Sequence, residues 1–98
     1  MKNELLSAQD TALELEKLNA WEIDDENGYL IKAFEFQDFK SAMSFINKVG
    51  ELAETANHHP DIAVGWGYAE IALTTHDVEG LTNQDFTLAR QIDEITTA

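Results

Sequence analysis

Three histidines are the residues of this chain best suited to chemistry near neutral pH, and they lie close together in the sequence. His58 and His59 are adjacent and precede Pro60, and His76 follows them. Histidine titrates near neutrality and can both donate and accept a proton, while nearby carboxylates such as Glu54 can orient its ring. The cluster therefore predicts a general acid/base site.

Metal binding and nucleophilic catalysis are the competing interpretations of this cluster. Adjacent residues such as His58 and His59 are not at a spacing that aims both rings at one ion, and no second close pair of ligands accompanies them. The chain has no cysteine, which excludes a thiolate nucleophile, and it has no Gly-x-Ser-x-Gly motif. We therefore expect no metal site, and acid/base chemistry remains the favoured interpretation.

Each candidate residue also has an ordinary structural explanation. A histidine at the C-terminal end of a helix is favoured by the helix dipole, and Asp85 fits a capping box at a helix start. Trp66 alone is more typical of a packing residue. The set as a whole favours function, because the hairpin described below brings His76 to the end of the fold that carries the other two histidines.

The composition limits the possible partners and the size of the fold. A chain of 98 residues is near the usual size of one domain, so we expect residues 1–98 to form a single domain. Nineteen acidic against six basic side chains give a formal charge of -13, which disfavours direct contact with nucleic acid or anionic membranes. No apolar run is long enough for a signal peptide or a membrane span, so we expect a cytoplasmic protein.

Three helices are predicted from apolar residues that recur at helical spacing. The first covers residues 7–18 with Ser7 as its N-cap. The second begins after Asp38 and ends before the histidine pair. The third begins after Thr82, with Asp85 completing a capping box. The expected buried positions are Ala8, Ala12, Leu15 and Leu18 in the first helix, Ala42, Phe45, Ile46, Val49, Leu52, Ala53 and Ala56 in the second, and Phe86, Ala89, Ile92 and either Ile95 or Thr96 in the third.

A first hairpin is predicted from two alternating runs, at about residues 20–25 and 29–36, joined by an Asn-Gly pair. Asn and Gly both tolerate the positive φ angles of a tight hairpin turn. The register stays open, since a two-residue loop places Trp21 opposite Phe34 and a three-residue loop places it opposite Ala33.

A second hairpin is predicted from the glycines on either side of Trp66. A reversal about residues 67 and 68 pairs Ile62 with Leu73 in the core, and in the same register His59 lies opposite His76. Opposed residues have their Cβ atoms about 5 Å apart, so the histidines would meet at the open end of this hairpin.

These elements predict an α+β fold in two layers. Two hairpins form one four-stranded antiparallel sheet, and the helices cover one face of it in the order α-ββ-α-ββ-α.

The spacing of the candidate residues resembles the pattern of the pterin-4a-carbinolamine dehydratase family, also called the dimerisation-cofactor family. In that pattern an acid precedes a His-His-Pro run, and an aromatic residue, a histidine and an aspartate follow it at set intervals. In this sequence the pattern is met by Glu54, His58, His59, Pro60, Trp66, His76 and Asp85.

The resemblance implies dehydration of 4a-hydroxytetrahydropterin to quinonoid dihydropterin and water, which recycles the pterin of aromatic amino acid hydroxylases. It implies that His58, His59 and His76 are the catalytic residues, oriented by Glu54 and Asp85, but not which histidine is the acid and which the base. It also implies that the pterin is the substrate and that no metal or redox cofactor is needed. The residues expected to bind the substrate or shape its site are Pro60, Asp61 and Trp66.

The resemblance also implies self-association, as a homodimer or a homotetramer. An oligomeric protein that binds and stabilises other proteins, without significant catalysis, is therefore the alternative function. One departure from the family is that Ile62 stands where many members have an aromatic residue. Because we expect Ile62 in the core, we interpret this change as structural.

Overall fold

The computed structural model describes residues 4–97 of the chain, and the side chains of residues 4–95. Four strands form one antiparallel sheet in the order β1-β2-β4-β3. The helices are α1 (Ala8–Glu16), α2 (Phe39–Ala56) and α3 (Asn83–Thr97), the strands are β1 (Glu22–Ile23), β2 (Leu30–Glu35), β3 (Asp61–Gly65) and β4 (Tyr68–Leu73), and a short 3-10 helix covers His76–Val78. The predicted α+β fold and its element order are confirmed.

One face of the sheet forms the core with α2 and α3. Alternate residues of the two central strands point to this face, because side chains alternate along a strand. They are buried together with the apolar stripes of the helices. The buried strand residues are Leu30 and Phe34 of β2 and Ala69, Ile71 and Leu73 of β4. β3 lies at the edge of the sheet, with β4 as its only neighbour among the described strands.

The helix α1 begins as predicted, but most of its predicted apolar face is not buried. Ser7 accepts a hydrogen bond from the backbone N–H of Asp10 at 3.0 Å, as expected of an N-cap. Ala8 and Ala12 are exposed, which corrects the predicted stripe. Leu15 and the following Leu18 are partly buried against the core. Alanine has little apolar area to remove from water, so the leucines decide how the helix lies.

The helix α2 follows its predicted pattern and delivers the histidine pair. The carboxylate of Asp38 accepts the N–H of Ser41 at 2.7 Å. Hydrogen bonds from the side chain and then the backbone of Ser41 hold the pKa of Asp38 below its ordinary value. The buried stripe comprises Ala42, Phe45, Val49 and Ala53, with Ile46 and Leu52 partly buried. Ala56, predicted as buried, is exposed because it lies on the last turn.

The helix α3 also begins as predicted. The N–H of Thr82 donates to Asp85 at 3.0 Å, and the N–H of Gln84 donates to the hydroxyl of Thr82 at 3.2 Å. Phe86, Ala89 and Ile92 are buried, and Leu88 joins them although it was not predicted. Ile95 is partly buried, and the side chain of Thr96, its predicted alternative, lies outside the described residues.

The first hairpin is present, but both registers predicted for it are wrong. Ile23 pairs with Leu30, so Trp21 extends toward the level of Lys32 rather than Phe34 or Ala33. The turn is longer than the Asn-Gly pair suggested, since the N–H of Asp24 donates to the carbonyl of Tyr29 at 2.8 Å. β1 is accordingly shorter than predicted.

The second hairpin is also present, with a register two residues from the prediction. Ile62 pairs with Ile71 instead of Leu73, and Gly65 pairs with Tyr68. The turn is Trp66–Gly67, where Gly67 has a φ of 81°, a conformation that favours glycine. A shift by an even number keeps each residue on its face, but Ile62 is 38% exposed and not in the core, because β3 is an edge strand.

The predicted pairing of His59 with His76 across this hairpin is therefore wrong. The paired part of the hairpin ends at Asp61 and Ala72. Beyond it β4 ends at Leu73, and His76 begins the 3-10 helix. Any approach of these histidines depends on the loops and not on the strand ladder.

Candidate active site

All three histidines line one pocket, although they do not meet through the predicted strand pairing. The pocket has a volume of about 450 Å³ and lies where the end of α2, the segment after β4 and the start of α3 come together. Its walls are formed by Ala56, Asn57, His58, His59, Thr74, Thr75, His76, Asp77 and Gln84. The structure thus brings together the residues that the sequence predicts to be catalytic.

The end of α2 aims His58 into the fold. Asn57 adopts the left-handed conformation with a φ of 53°, and the N–H of His58 donates to the carbonyl of Ala53 at 3.1 Å. This C-cap ends the helix before Pro60 is reached and turns the chain back toward the core. As a result His58 is only 8% exposed, while its ring still lines the pocket.

His58 is held by a buried carboxylate. Its Nε2 lies 2.6 Å from Oδ1 of Asp85, which is 0% exposed. The other carboxylate oxygen, Oδ2, accepts the hydroxyl of Thr75 at 2.8 Å and the N–H of Thr82 at 3.0 Å. A buried charge is tolerated only when such donors replace the lost water. Asp85 is therefore both the capping acid of α3 and the partner of His58.

His59 has the same kind of partner in a very different environment. Its Nε2 lies 2.6 Å from Oε2 of Glu54, one helical turn back on α2. The side chains of His59 and Glu54 are 55% and 78% exposed. Because solvent screens an exposed pair, this contact contributes little to stability. Glu54 instead orients the ring of His59.

His76 differs from the other two histidines in lacking a carboxylate partner among the described residues. It is exposed at the start of the 3-10 helix and lines the pocket beside Asp77. Its ring stands edge-on to Tyr29, with the ring centroids 6.3 Å apart. The pocket thus contains one buried histidine, one exposed paired histidine and one exposed histidine with an aromatic neighbour.

The remaining predicted site residues do not line this pocket. Pro60 lines a neighbouring groove together with Glu54 and His59. Asp61 is exposed as the first residue of β3. Trp66 is at the hairpin turn and is 74% exposed. Within one copy of the described chain, the pocket is built without them.

Several pocket residues were not predicted as site residues. They are Ala56, Asn57, Thr74, Thr75, Asp77 and Gln84. Their positions next to His58, His76 and Asp85 in the sequence are the only signal that could have indicated them, because neighbours of a catalytic residue often share its loop.

The structure also bears on the metal-binding and membrane classes. Within residues 4–97, no group of three or more His, Cys, Asp or Glu side chains is arranged to hold a metal ion. In the same part of the chain, no helix combines the length and the apolar character needed to cross a membrane.

Comparison with known proteins identifies the family of the chain. The model of the family described as pterin 4 alpha carbinolamine dehydratase matches residues 4–95. The chain belongs to this family. A curated protein of Rubrobacter xylanophilus, provisionally named pterin-4-alpha-carbinolamine dehydratase, is 49% identical over 79 residues, which are 81% of this chain and 73% of that protein. A protein of Sulfurisphaera tokodaii with the same provisional name is 39% identical, covering 94% of this chain and 97% of its own length.

Solved structures extend the comparison to the fold. A crystal structure from Brucella melitensis, described as a transcriptional coactivator/pterin dehydratase, matches with a TM-score of 0.90 and 27% identity, over 94% of this chain and 98% of that one. A pterin dehydratase-like protein described as a RuBisCO assembly factor in the alpha-carboxysome matches with a TM-score of 0.66 and 22% identity, over 78% of this chain and 88% of that one. The second likeness concerns the fold alone.

Proposed function

We propose that this chain catalyses the dehydration of 4a-hydroxytetrahydropterin to quinonoid dihydropterin and water, and so recycles the pterin of aromatic amino acid hydroxylases. The observation that carries the proposal is the convergence of His58, His59 and His76 on one pocket. Membership of the family supports the substrate class. A volume of about 450 Å³ lies within the range of small-molecule sites.

The reaction needs only proton transfers. The C4a hydroxyl takes up a proton and leaves as water, N5 loses its proton, and the electron pair of that N–H bond forms the C4a–N5 double bond. One imidazolium and one neutral imidazole are sufficient for this exchange. The reaction transfers protons and releases water without oxidising or reducing the pterin, so the proposal includes no metal or redox cofactor.

The carboxylates give the histidines defined orientations for this chemistry. Nε2 of His58 and Nε2 of His59 each face a carboxylate, on Asp85 and Glu54. In both rings Nδ1 has no hydrogen-bond partner among the described residues, so it is the nitrogen available to a substrate. A ring held in this way can accept a proton at Nδ1 while its carboxylate stabilises the resulting imidazolium.

The direct test is a spectroscopic assay with freshly generated 4a-hydroxytetrahydropterin. We expect purified protein to accelerate the loss of water over buffer, and we expect His76→Ala to slow it by roughly 100-fold, as for the loss of a general acid or base. A rate equal to that of buffer would contradict the proposal.

A protein-stabilising role is the second candidate function, and it requires self-association. The edge of β3 is unpaired within the described chain, and an exposed sheet edge is a natural surface for pairing with a second copy. We propose that the chain forms a homodimer or a homotetramer. A purely stabilising protein would keep its partner-binding activity when the histidines are replaced, whereas a dehydratase would lose its turnover.

A further inference from the structure

Two buried hydroxyl groups, on Thr75 and Thr82, are hydrogen-bonded in series to Asp85, the partner of His58. Oγ1 of Thr75 lies 2.8 Å from Oδ2 of Asp85 and 2.8 Å from Oγ1 of Thr82. Oγ1 of Thr82 in turn accepts the backbone N–H of Gln84 at 3.2 Å. Thr75, Thr82 and Asp85 are all buried, so the loss of one of these hydrogen bonds would leave a buried polar group unpaired.

The contacts among these buried groups allow only one direction for the hydrogen bonds that join the two hydroxyls to Asp85. Oδ2 of Asp85 already accepts the N–H of Thr82, and it has a second lone pair that can accept a hydrogen bond from Thr75. The single hydroxyl proton of Thr75 is therefore donated to Asp85. Oγ1 of Thr75 must then accept the hydroxyl proton of Thr82, because two oxygens 2.8 Å apart without a proton between them would repel each other.

The direction of these hydrogen bonds determines whether Asp85 acts as a donor or as an acceptor toward His58. Because Oδ2 of Asp85 already accepts two donors, Asp85 presents Oδ1 as an acceptor to Nε2 of His58. Nε2 of His58 must then carry a hydrogen. The neutral ring is then held as the Nε2–H tautomer, and the lone pair of Nδ1 has no hydrogen-bond partner among the described residues.

We propose that Thr75 is a positioning residue for His58: its hydroxyl orients Asp85, which selects the tautomer that presents Nδ1 to the substrate. The inference deepens the proposed dehydratase function and rests on it for its catalytic meaning. The orientation of Asp85 and the tautomer of His58 are physical properties that can be measured without turnover.

Replacing Thr75 with valine keeps the shape of the side chain and removes its hydroxyl. In Thr75→Val, Oδ2 of Asp85 loses a donor and the hydroxyl of Thr82 loses its acceptor, and both groups are buried. We expect the tautomer preference of His58 to weaken. We also expect kcat to fall by roughly 10- to 100-fold, the size of effect seen when a group that orients a functional histidine is removed. Thr75→Ser keeps the hydroxyl and should restore most of the rate.

The decisive readout is the ¹⁵N NMR spectrum of the imidazole nitrogens of His58 in unliganded protein. The wild type and Thr75→Ser should show Nε2–H and a bare Nδ1 at high pH, and Thr75→Val should show a mixture of tautomers. Thr74→Val is the matched control for the tautomer, because among the described residues the Thr74 hydroxyl donates to the carbonyl of Gly80, at 3.4 Å, and not to Asp85.

Two outcomes would overturn the inference. One is a wild-type spectrum in which neutral His58 carries its hydrogen on Nδ1, a result that needs no variant to fold. The other is a folded Thr75→Val protein with the wild-type tautomer and the wild-type pH–rate profile. Absence of dehydratase activity in all of these proteins would instead refute the proposed function. The NMR spectrum would still test the role of Thr75 in selecting the tautomer of His58.

Discussion

His58 and Asp85 form the buried hydrogen bond on which the site is built, with Nε2 and Oδ1 2.6 Å apart. Glu54 approaches His59 at the same distance, but on the surface. Burial makes the first interaction hard to lose without leaving an unpaired polar group, whereas water can replace either partner of the second. Replacing the carboxylate by an amide should therefore lower the free energy of unfolding far more in the buried pair than in the exposed pair.

Asp85→Asn should destabilise the protein far more than Glu54→Gln. The first change removes the charge that accepts His58, and breaking a buried pair of this kind costs about 3 kcal/mol. The second removes one member of an exposed pair, which is worth less than about 1 kcal/mol. Urea unfolding followed by circular dichroism measures both free energies. Equal losses for the two variants would contradict the structural assignment of the pairs.

A part-buried polar contact between Trp21, Lys32 and Asp93 should also stabilise the fold. The indole N–H of Trp21 lies 3.0 Å from Oδ2 of Asp93, and Nζ of Lys32 donates to Oδ1 of Asp93 at 2.9 Å. Trp21→Phe keeps an aromatic ring and loses this donor, so we expect the free energy of unfolding to fall by about 1–2 kcal/mol. Trp66→Phe is the matched control, since Trp66 is exposed, and should change stability by less than about 0.5 kcal/mol.

The N-cap of α2 should make stability depend on acid pH. The hydrogen bonds from Ser41 lower the pKa of Asp38 below its ordinary value of 3.8, so the folded state binds this proton less readily than the unfolded state. The resulting stabilisation is complete above the unfolded pKa and is lost as the pH falls through the lower folded pKa. We expect the wild type to be more stable than Asp38→Asn at neutral pH, and this difference to shrink below pH 3.8. A difference that is independent of pH would show that the charge of Asp38 does not contribute.

The edge of β3 should be the surface through which the chain self-associates. Ala63 is exposed in the middle of this edge strand, and a lysine on a strand edge opposes pairing with another strand. We expect sedimentation to show an oligomer for the wild type and a smaller species for Ala63→Lys. Ala33→Lys adds the same charge at an exposed position of the central strand β2 and should leave the oligomer intact. A monomeric wild type at micromolar concentration would contradict the proposed association.

The order of elements and the starts of the helices followed from local patterns in the sequence, whereas α1 ends at Glu16 and not at the predicted residue 18. The apolar stripe of α2 and the caps at Asp38 and Thr82 are short-range features, and each is present in the structure. The registers could not be predicted in the same way. Shifting β3 by two residues keeps Ile62 and Val64 on the same face, so alternation alone does not distinguish the two pairings.

The candidate site was predictable only as far as its motif. The motif indicated His58, His59, His76, Glu54 and Asp85, and their side chains meet at the pocket or behind it. The role that we propose for Thr75 depends on the three-dimensional approach of the β4–α3 connection to the capping box of α3, which has no signature in the sequence. Trp66 shows the opposite case, since it fits the motif but lies at an exposed turn of the single chain.

The most direct test of the proposed function is the single-turnover rate of water loss from 4a-hydroxytetrahydropterin, measured for the wild type, for His58→Ala and for buffer. The buried position of His58 at the pocket wall predicts that the wild type accelerates the reaction and that His58→Ala loses roughly 100-fold of this rate. Circular dichroism establishes that the variant is folded. A wild-type rate no faster than buffer, or a folded His58→Ala variant with the full wild-type rate, would contradict the assignment of this pocket as a dehydratase site.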